Sequence, residues 1–204
     1  MRHSDRAVLL ALAAGLALLA GCSDDAPTPT IPAGPPPATT TPPASSYGDQ
    51  DRNERGNLVK TIGQPGAIQA ASGDIALEFR VDAIRQNAEC QADGYIDQPE
   101  NGQFLAVDVF AKSTPAFRTS EQDTEFLNAG YNWSVVTGDG VRHTVDTGPA
   151  FGCSPSSRDN LGSLTPSVTV SGTVYLDAPA NLQGALLVLS SPVLEGGWEW
   201  QIPA

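Results

Sequence analysis

The chain has 204 residues, of which 40% are hydrophobic, 6% aromatic and 17% charged. Its 23 Asp and Glu residues outnumber 11 Lys and Arg, which gives a formal net charge of −12, and Gly (20) and Pro (17) are plentiful. This balance argues against a nucleic-acid-binding protein, which needs a basic surface to displace counterions from phosphates. It also argues against a coiled coil or long helical bundle, whose sequences are rich in Glu, Lys and Arg.

The first 22 residues have the pattern of a bacterial export signal. Arg2, His3 and Arg6 precede an uninterrupted apolar run from Val8 to Ala20. A helix over this run would reach only ~20 Å at about 1.5 Å per residue, short of the ~30 Å hydrocarbon core of a bilayer. The run therefore predicts a cleaved signal peptide over residues 1–21 rather than a membrane-spanning helix.

Leu19-Ala20-Gly21-Cys22 closes this signal and resembles the lipobox of bacterial lipoproteins. The resemblance implies cleavage just before Cys22, acyl chains including a diacylglycerol on this residue, and an extracytoplasmic protein anchored to the membrane of the cell envelope. Two or more acyl chains hold a protein firmly, at about 0.8 kcal/mol per buried methylene. The alternative is an ordinary signal peptide in which Cys22 is incidental.

Cleavage before Cys22 would make the exported chain more acidic. It would leave 9 Lys and Arg against 22 Asp and Glu, a formal charge of −13. Because many bilayers are themselves anionic, we expect the lipid, and not the domain, to hold the protein on the membrane.

Residues 22–54 are predicted to be a disordered, lipid-anchored linker rich in Pro and Thr. Eight of the 17 prolines lie there, and apolar residues large enough to build a core are nearly absent. Such a segment favours extended polyproline II and acts as a semi-rigid spacer, which at ~3.1 Å per residue could reach roughly 90 Å. The linker would lift a domain off the membrane; a proline-motif ligand for a partner is the alternative.

Residues 55–204 are predicted to form one all-β domain. Apolar and polar residues alternate from Ile75 to Ala83 and from Leu105 to Ala111, with the odd-numbered side chains facing inward. Gly138-Asp139-Gly140 between two further strands is typical of a hairpin. The remaining strands are expected over 168–176, 185–190 and 198–202. Short strands separated by turn residues over about 150 residues predict a two-sheet antiparallel sandwich.

Cys90 and Cys153 are the two cysteines that remain once Cys22 is assigned to the lipid. Exported proteins meet an oxidising environment, where an even pair usually forms a disulfide. In the chain-entropy model this bridge would stabilise the fold by at most about 4 kcal/mol. A reactive thiol paired with His143 is the alternative.

Motifs for catalysis and for cofactors are missing from the sequence. His143 is the one histidine of the mature chain, and no G-x-S-x-G, H-E-x-x-H, C-x-x-C, P-loop or G-x-G-x-x-G is present. A zinc site needs several His or Cys ligands, which the chain does not supply. We therefore predict no catalytic residue, no resident metal and no cofactor, with His143 as an ordinary strand residue.

Two other groups of residues have the chemistry of a binding site. Asp93, Asp97 and Glu100 crowd the loop after Cys90, and their oxygen atoms would suit Ca²⁺, although the spacing does not fit an EF-hand; solvated loop charges are the alternative. Trp198 and Trp200 share one face of the last strand. They would form a sugar-binding platform if exposed, but core packing explains the same alternation more simply.

Three segments resemble a known domain family. They are the strand Gly102–Val109, the Asp-Gly hairpin Ser134–Val141 and the segment Leu164–Pro179. Their order and spacing are similar to the immunoglobulin-like domain of small secreted mycobacterial immunoprotective antigens and of many actinobacterial and firmicute lipoproteins. The resemblance implies an immunoglobulin-like antiparallel β-sandwich without assigned catalytic residues. Ser167 stands where the family commonly has Gly after the Pro of its Leu-x-Pro-Gly turn.

These observations predict a non-enzymatic lipoprotein of the cell envelope that presents an immunoglobulin-like domain to an unknown protein or envelope component, with no nucleic-acid partner. Two alternatives remain open. One is a small-ligand or Ca²⁺-binding module that uses the Asp93–Glu100 loop. The other is an envelope hydrolase, which would need an opposed pair of carboxylates in a cleft.

Overall fold

A computed structural model of the chain describes residues 51–90, 98–145, 148–153, 161–190 and 194–204. The predicted signal peptide, Cys22 and the linker up to residue 50 lie outside the described residues. The described residues form strands β1 (Asn57–Lys60), β2 (Gly66–Gln69), β3 (Ile75–Arg85), β4 (Gly102–Ser113), β5 (Trp133–Val136), β6 (Arg142–Thr144), β7 (Thr169–Pro179), β8 (Leu186–Ser190) and β9 (Gly197–Gln201), with a 3₁₀ turn at Gly130–Asn132. In the part of the chain that is described, no helix has the length and apolar character needed to cross a membrane.

These strands form two sheets that share one core. The first sheet has five strands in the order β1-β9-β8-β5-β6, and the second has four in the order β2-β3-β4-β7. Apolar side chains from both sheets pack together between them, and Phe79, Trp133 and Trp200 are among the largest that are fully buried. The predicted all-β, two-sheet sandwich is confirmed.

The pairing of β1 with β9 is parallel, from Asn57 opposite Gly197 to Lys60 opposite Trp200. The other strand pairs of the described residues are antiparallel, as the sequence predicted. The two strands of the parallel pair lie at opposite ends of the domain sequence. No tight hairpin connects them, so nothing imposes the antiparallel direction on this pair.

The alternation predicted for β4 is confirmed. Its inward row is buried in the core and consists of Leu105, Val107, Val109 and Ala111. β4 lies between β3 and β7 and pairs with β7 from Gly102 opposite Pro179 to Lys112 opposite Thr169. This long central strand fixes the register of the four-stranded sheet.

The alternation predicted for β3 holds only for its first half. Its register against β4 shifts between Val81 and Ala83, as expected of a β-bulge. Beyond the shift Ile84 is buried in the core and Ala83 is half-buried. The prediction that Ala83 belongs to the inward row is therefore wrong, because one extra residue exchanges the two faces of a strand.

The predicted hairpin joins β5 to β6. Val136 and Arg142 are the paired residues next to the turn. Within the turn, the Thr137 hydroxyl donates a hydrogen bond to the Asp139 carboxylate at 2.5 Å. Gly140 has a φ of 87°, a left-handed conformation that glycine adopts without steric cost. The hairpin predicted from Gly138-Asp139-Gly140 is therefore confirmed.

Candidate functional site

A groove runs along β2, between this strand and the β1–β9 edge of the other sheet. It consists of two hollows, of about 330 Å³ and about 140 Å³, which share Ile68, Gln69 and Leu194. We call the two hollows together the β2 groove. The larger hollow lies against β1 and β9, and the smaller one lies against the loop that includes residues 121–126.

The indole of Trp198 forms part of the wall of the larger hollow. Its ring meets Phe79 edge-on with ring centroids 4.9 Å apart, and it meets Phe126 at 6.0 Å. Gly66 of β2 lies directly against this indole, since a Cβ at that position would be 2.9 Å from Trp198 Nε1. The Trp198 N–H is buried without an acceptor among the described residues, whereas buried indoles usually find one.

Arg52 and Lys60 bring positive charge to the larger hollow. Lys60 stands opposite Trp200 in the parallel pair, so its side chain belongs to the inner face of β1, and the residue is only 3% exposed. Lysine is seldom so deeply buried unless its ammonium group is paired. Arg52 Nη1 donates a hydrogen bond to the Gly56 carbonyl at 2.7 Å. Glu195 lines the same hollow, so two cations and one carboxylate leave it with a formal charge of +1.

The smaller hollow has the opposite charge. Glu121 and Asp123 line it together with the rings of Phe117 and Phe126. The β2 groove thus passes from a hollow with mixed polar and apolar walls and a small net positive charge to an acidic hollow with mainly apolar walls. Among the described residues that line it there is no histidine or cysteine. The arrangement suits an extended, mainly apolar segment better than a nucleophile and its base.

A second polar centre lies on the outer face of the five-stranded sheet, at Glu199 of β9. This carboxylate belongs to a residue that is only 2% exposed. It accepts hydrogen bonds from Asn53 Nδ2 at 2.6 Å, from Arg55 Nη2 at 2.6 Å and Nε at 3.0 Å, and from Asn57 Nδ2 at 3.2 Å. Burial alone would raise the pKa of Glu199, but these hydrogen bonds and the charge of Arg55 outweigh it and lower the pKa.

The structure brings Cys90 and Cys153 together as a disulfide with Cα atoms 4.7 Å apart, as the sequence analysis expects. Cys153 is fully buried and packs with Phe104 and Ala150 in a small cluster separate from the main core. The bridge therefore ties the segment after β3 to the segment 148–153. A disulfide of this kind is typical of exported proteins.

The acidic loop is described only in part. Asp93 and Asp97 lie outside the described residues, whereas Glu100 is exposed. The backbone N–H groups of Glu100 and Asn101 donate to the buried carboxylate of Asp177 at 2.9 Å and 3.0 Å. Within the described residues, no group of three or more His, Cys, Asp or Glu is placed to hold a metal ion. Calcium binding by the loop stays a prediction.

The remaining candidates from the sequence fall in ordinary structural positions. Trp198 is 6% exposed and Trp200 is fully buried, so the interpretation of core packing is confirmed and these two rings form no exposed sugar platform. His143 is half-buried in β6 opposite Val135.

The sequence analysis did not identify the charged residues of the larger hollow or of the Glu199 cluster. Lys60 was not singled out because β1 is only four residues long and shows no clear alternation. Strand alternation puts Glu199 on the face opposite Trp198 and Trp200, which predicts an exposed side chain; it is on that face, but Asn53, Arg55 and Asn57 cover it. The short run of polar residues before β1 could have indicated this cover, because it contains no apolar residue that could attach it to the core.

No family model and no curated protein matches the chain. Two solved structures are similar to it. One is MPT63, a secreted protein from Mycobacterium tuberculosis, at 14% identity over 71% of this chain and 97% of that one, with a TM-score of 0.48. The other is an uncharacterised β-sandwich protein from Clostridium difficile, at 11% identity over 76% of this chain and 100% of that one, with a TM-score of 0.40. Membership of the immunoglobulin-like family stays a prediction.

Proposed function

We propose that this protein is a non-enzymatic binding module of the bacterial cell envelope, anchored by lipid at Cys22, whose β2 groove holds an extended segment of a partner protein. The observation that carries the proposal is the groove itself, which has an apolar stretch along Ile68, Leu194 and Phe126 and net charges of opposite sign at its two ends. The disulfide supports an extracytoplasmic location. The anchor rests on the lipobox resemblance.

The strand edges beside the groove favour an extended occupant. β1 and β2 are the edge strands of their sheets. The outer side of β1 is partly occupied by the preceding chain, since the Asn53 N–H donates to the Asn57 carbonyl at 2.9 Å and Arg52 bridges Leu58, so β2 offers the more open edge. An edge strand offers unpaired backbone N–H and C=O groups to a chain that lies alongside it. Partner segments that add to a sheet edge gain affinity from these backbone hydrogen bonds and specificity from pockets for alternate side chains.

The charges of the groove restrict which segment would fit. The larger hollow keeps a formal charge of +1, with the exposed Arg52 at its rim, and favours an acidic side chain, whereas Glu121 and Asp123 favour a basic one in the smaller hollow. Complementary charges of this kind fix orientation and suppress wrong partners. The expected segment is extended and mainly apolar, with an acidic residue towards one end and a basic residue towards the other.

Site-specific photo-crosslinking in the native envelope tests the proposal. A photoreactive residue at Gln69, which lines both hollows, should give a discrete adduct with one protein, and the same residue at exposed Lys112 on the four-stranded sheet should not. A peptide from the crosslinked region should then bind the purified protein at least about tenfold more weakly after Ile68→Ala. A circular dichroism spectrum would verify that this variant is folded.

Two outcomes would contradict the proposal. One is an adduct pattern at position 69 that is the same as at position 112. The other is an adduct with lipid and not with protein at position 69, which would assign the apolar walls to an acyl chain.

A further inference from the structure

A second depression lies on the outer face of the five-stranded sheet, on the other side of the β1–β9 edge from the β2 groove. It has a volume of about 400 Å³. We call it the outer trough. Its floor includes Val136 and Val188, and Arg55 and Arg142 are among the residues that line it. No part of the proposed function uses this trough.

Arg142 is held in the outer trough by hydroxyl groups. Its Nε donates to Ser134 Oγ at 3.1 Å, and its Nη2 donates to Ser190 Oγ at 3.2 Å. Ser134 is only 3% exposed, so this anchor is a fixed part of the sheet. Two hydroxyls orient the guanidinium but do not neutralise it. In the ranges that the structure describes, Arg142 forms no ion pair with a carboxylate.

Arg55 adds a second fixed guanidinium to the same trough. Glu199 accepts hydrogen bonds from its Nε and Nη2 and cancels its charge. Among the described residues that line the trough, the charge that stays uncompensated is that of Arg142. Arg142 is bound to Ser134 of β5 and Ser190 of β8, and Arg55 is bound to Glu199 of β9, the strand next to β8.

This arrangement has the chemistry of an oxyanion site. Arginine presents five N–H donors in a fixed fork, and two of those on Arg142 are used by the two serines. A single net positive charge matches a monoanion better than a dianion. Two guanidinium groups in different positions suit the tetrahedral oxygens of a phosphate group, whereas a planar carboxylate pairs best with one fork. The valine floor leaves room for a compact apolar part of the ligand.

We propose that the outer trough binds a phosphodiester group, with Arg142 as its charged ligand and Ser134 and Ser190 as the residues that position Arg142. A phosphodiester keeps one negative charge and two equivalent anionic oxygens at neutral pH. In a cell envelope such a group could belong to a phospholipid headgroup or to a polymer of phosphodiester-linked glycerol. Both sources present the same monoanionic phosphodiester group.

The test uses the full mature chain with Cys22→Ser, so that the lipid does not contribute, and follows the Nε–Hε signals of the arginines by NMR. Dimethyl phosphate is the probe. The Arg142 signal should shift and saturate, whereas that of Arg118, an exposed loop residue, should not saturate. Ser190→Ala should weaken the apparent affinity at least about threefold. In Arg142→Gln, which lacks the Arg142 signal, the Nε–Hε signal of Arg55 in the same trough should lose the response that it shows in the wild type, with the rest of the spectrum unchanged.

Three results would overturn the assignment: no saturation at Arg142, the same response at Arg118, or tighter binding of acetate than of dimethyl phosphate. Flotation with phosphatidylglycerol vesicles and titration with oligomeric glycerol phosphate then separate the two sources. Binding to either one that is lost in Arg142→Gln supports the proposal, and binding to neither contradicts it. Because Arg142 does not line the β2 groove, failure here leaves the partner-protein experiment unaffected.

Discussion

Glu199 shows how a carboxylate can be buried on the outside of a sheet. Strand alternation places it on the face away from the core, yet the polar segment before β1 folds over it. Removing a charge from water is costly unless hydrogen bonds replace the water, and here Asn53, Arg55 and Asn57 supply them. The carboxylate therefore connects the chain that enters the domain to the strand that ends it.

The lowered pKa of Glu199 predicts a pH dependence of stability. A carboxyl group whose pKa is lower in the folded state stabilises the protein above its unfolded pKa of about 4.3, and this stabilisation is lost as the pH falls through the folded pKa. Asp108, whose pKa burial would raise but hydrogen bonds from Arg85 and Thr173 lower overall, acts in the same direction. The free energy of unfolding should therefore be nearly constant near neutrality and fall in acid.

Urea denaturation between about pH 3 and pH 7 measures this dependence. Glu199→Gln should lower the free energy of unfolding at neutral pH by about 1–3 kcal/mol, because charge-assisted bonds are lost in a buried position. It should also reduce the decline in acid. Glu100→Gln, at an exposed position, is the matched control and should behave like the wild type. An acid decline that is unchanged in Glu199→Gln would contradict the assignment.

At the scale of elements, the sequence predicts those strands whose faces are chemically distinct. The inward row of β4 runs without interruption, and the Asp-Gly signal between β5 and β6 is local, so both are predicted correctly. The burial of Phe104 and Ala106 on the other face of β4 is not predicted. The bulge at Val81–Ala83 cannot be recognised from the sequence, because the polar Asp82 fits the regular alternation of the strand. Only the pairing with β4 reveals the bulge. The β2 groove could not be predicted either, since it depends on how β1 and β2 approach each other from different sheets.

The turn before β7 gives a prediction of its own. Ser167 has a φ of 61°, in the left-handed region that costs a residue with a side chain roughly 1–2 kcal/mol. This is the position at which the sequence departs from the Gly of the family that it resembles. Ser167 is exposed, so its hydroxyl is not needed for packing in the core.

Ser167→Gly should therefore raise the stability of the protein, although the greater freedom of glycine in the unfolded chain offsets part of the gain. We expect an increase of about 0.5–1 kcal/mol in the free energy of unfolding. Thermal unfolding followed by circular dichroism measures the change, and Ser167→Ala serves as the control that keeps a Cβ at the same φ. A Gly variant that is no more stable than the Ala variant would show that the turn is not strained.

At the scale of the whole molecule, the acidic composition leads us to expect that the lipid anchors the protein and that the domain binds the partner. The mature chain that we predict, with a charge of −13, would have no general attraction to an anionic surface. Four of the eight Lys and Arg among the described residues lie in the β2 groove, at Glu199 or in the outer trough: Arg52, Arg55, Lys60 and Arg142. Of the three described ion pairs, Arg80–Asp82 lies within β3, Arg85–Asp108 joins β3 to β4, and Arg55–Glu199 fixes the chain entry. We therefore expect attachment to the membrane to depend on the predicted lipid at Cys22.

The anchor is therefore expected to depend on one residue. In cells labelled with an alkyne analogue of palmitate, the wild-type protein should carry the label and remain in the membrane fraction, because two or more acyl chains are needed for stable attachment. Cys22→Ala should lose the label and leave the membrane fraction, and Cys90→Ala with Cys153→Ala should keep both the label and the location. A Cys22→Ala protein that stays on the membrane would mean that the domain, despite its charge, binds the envelope strongly enough to hold itself there.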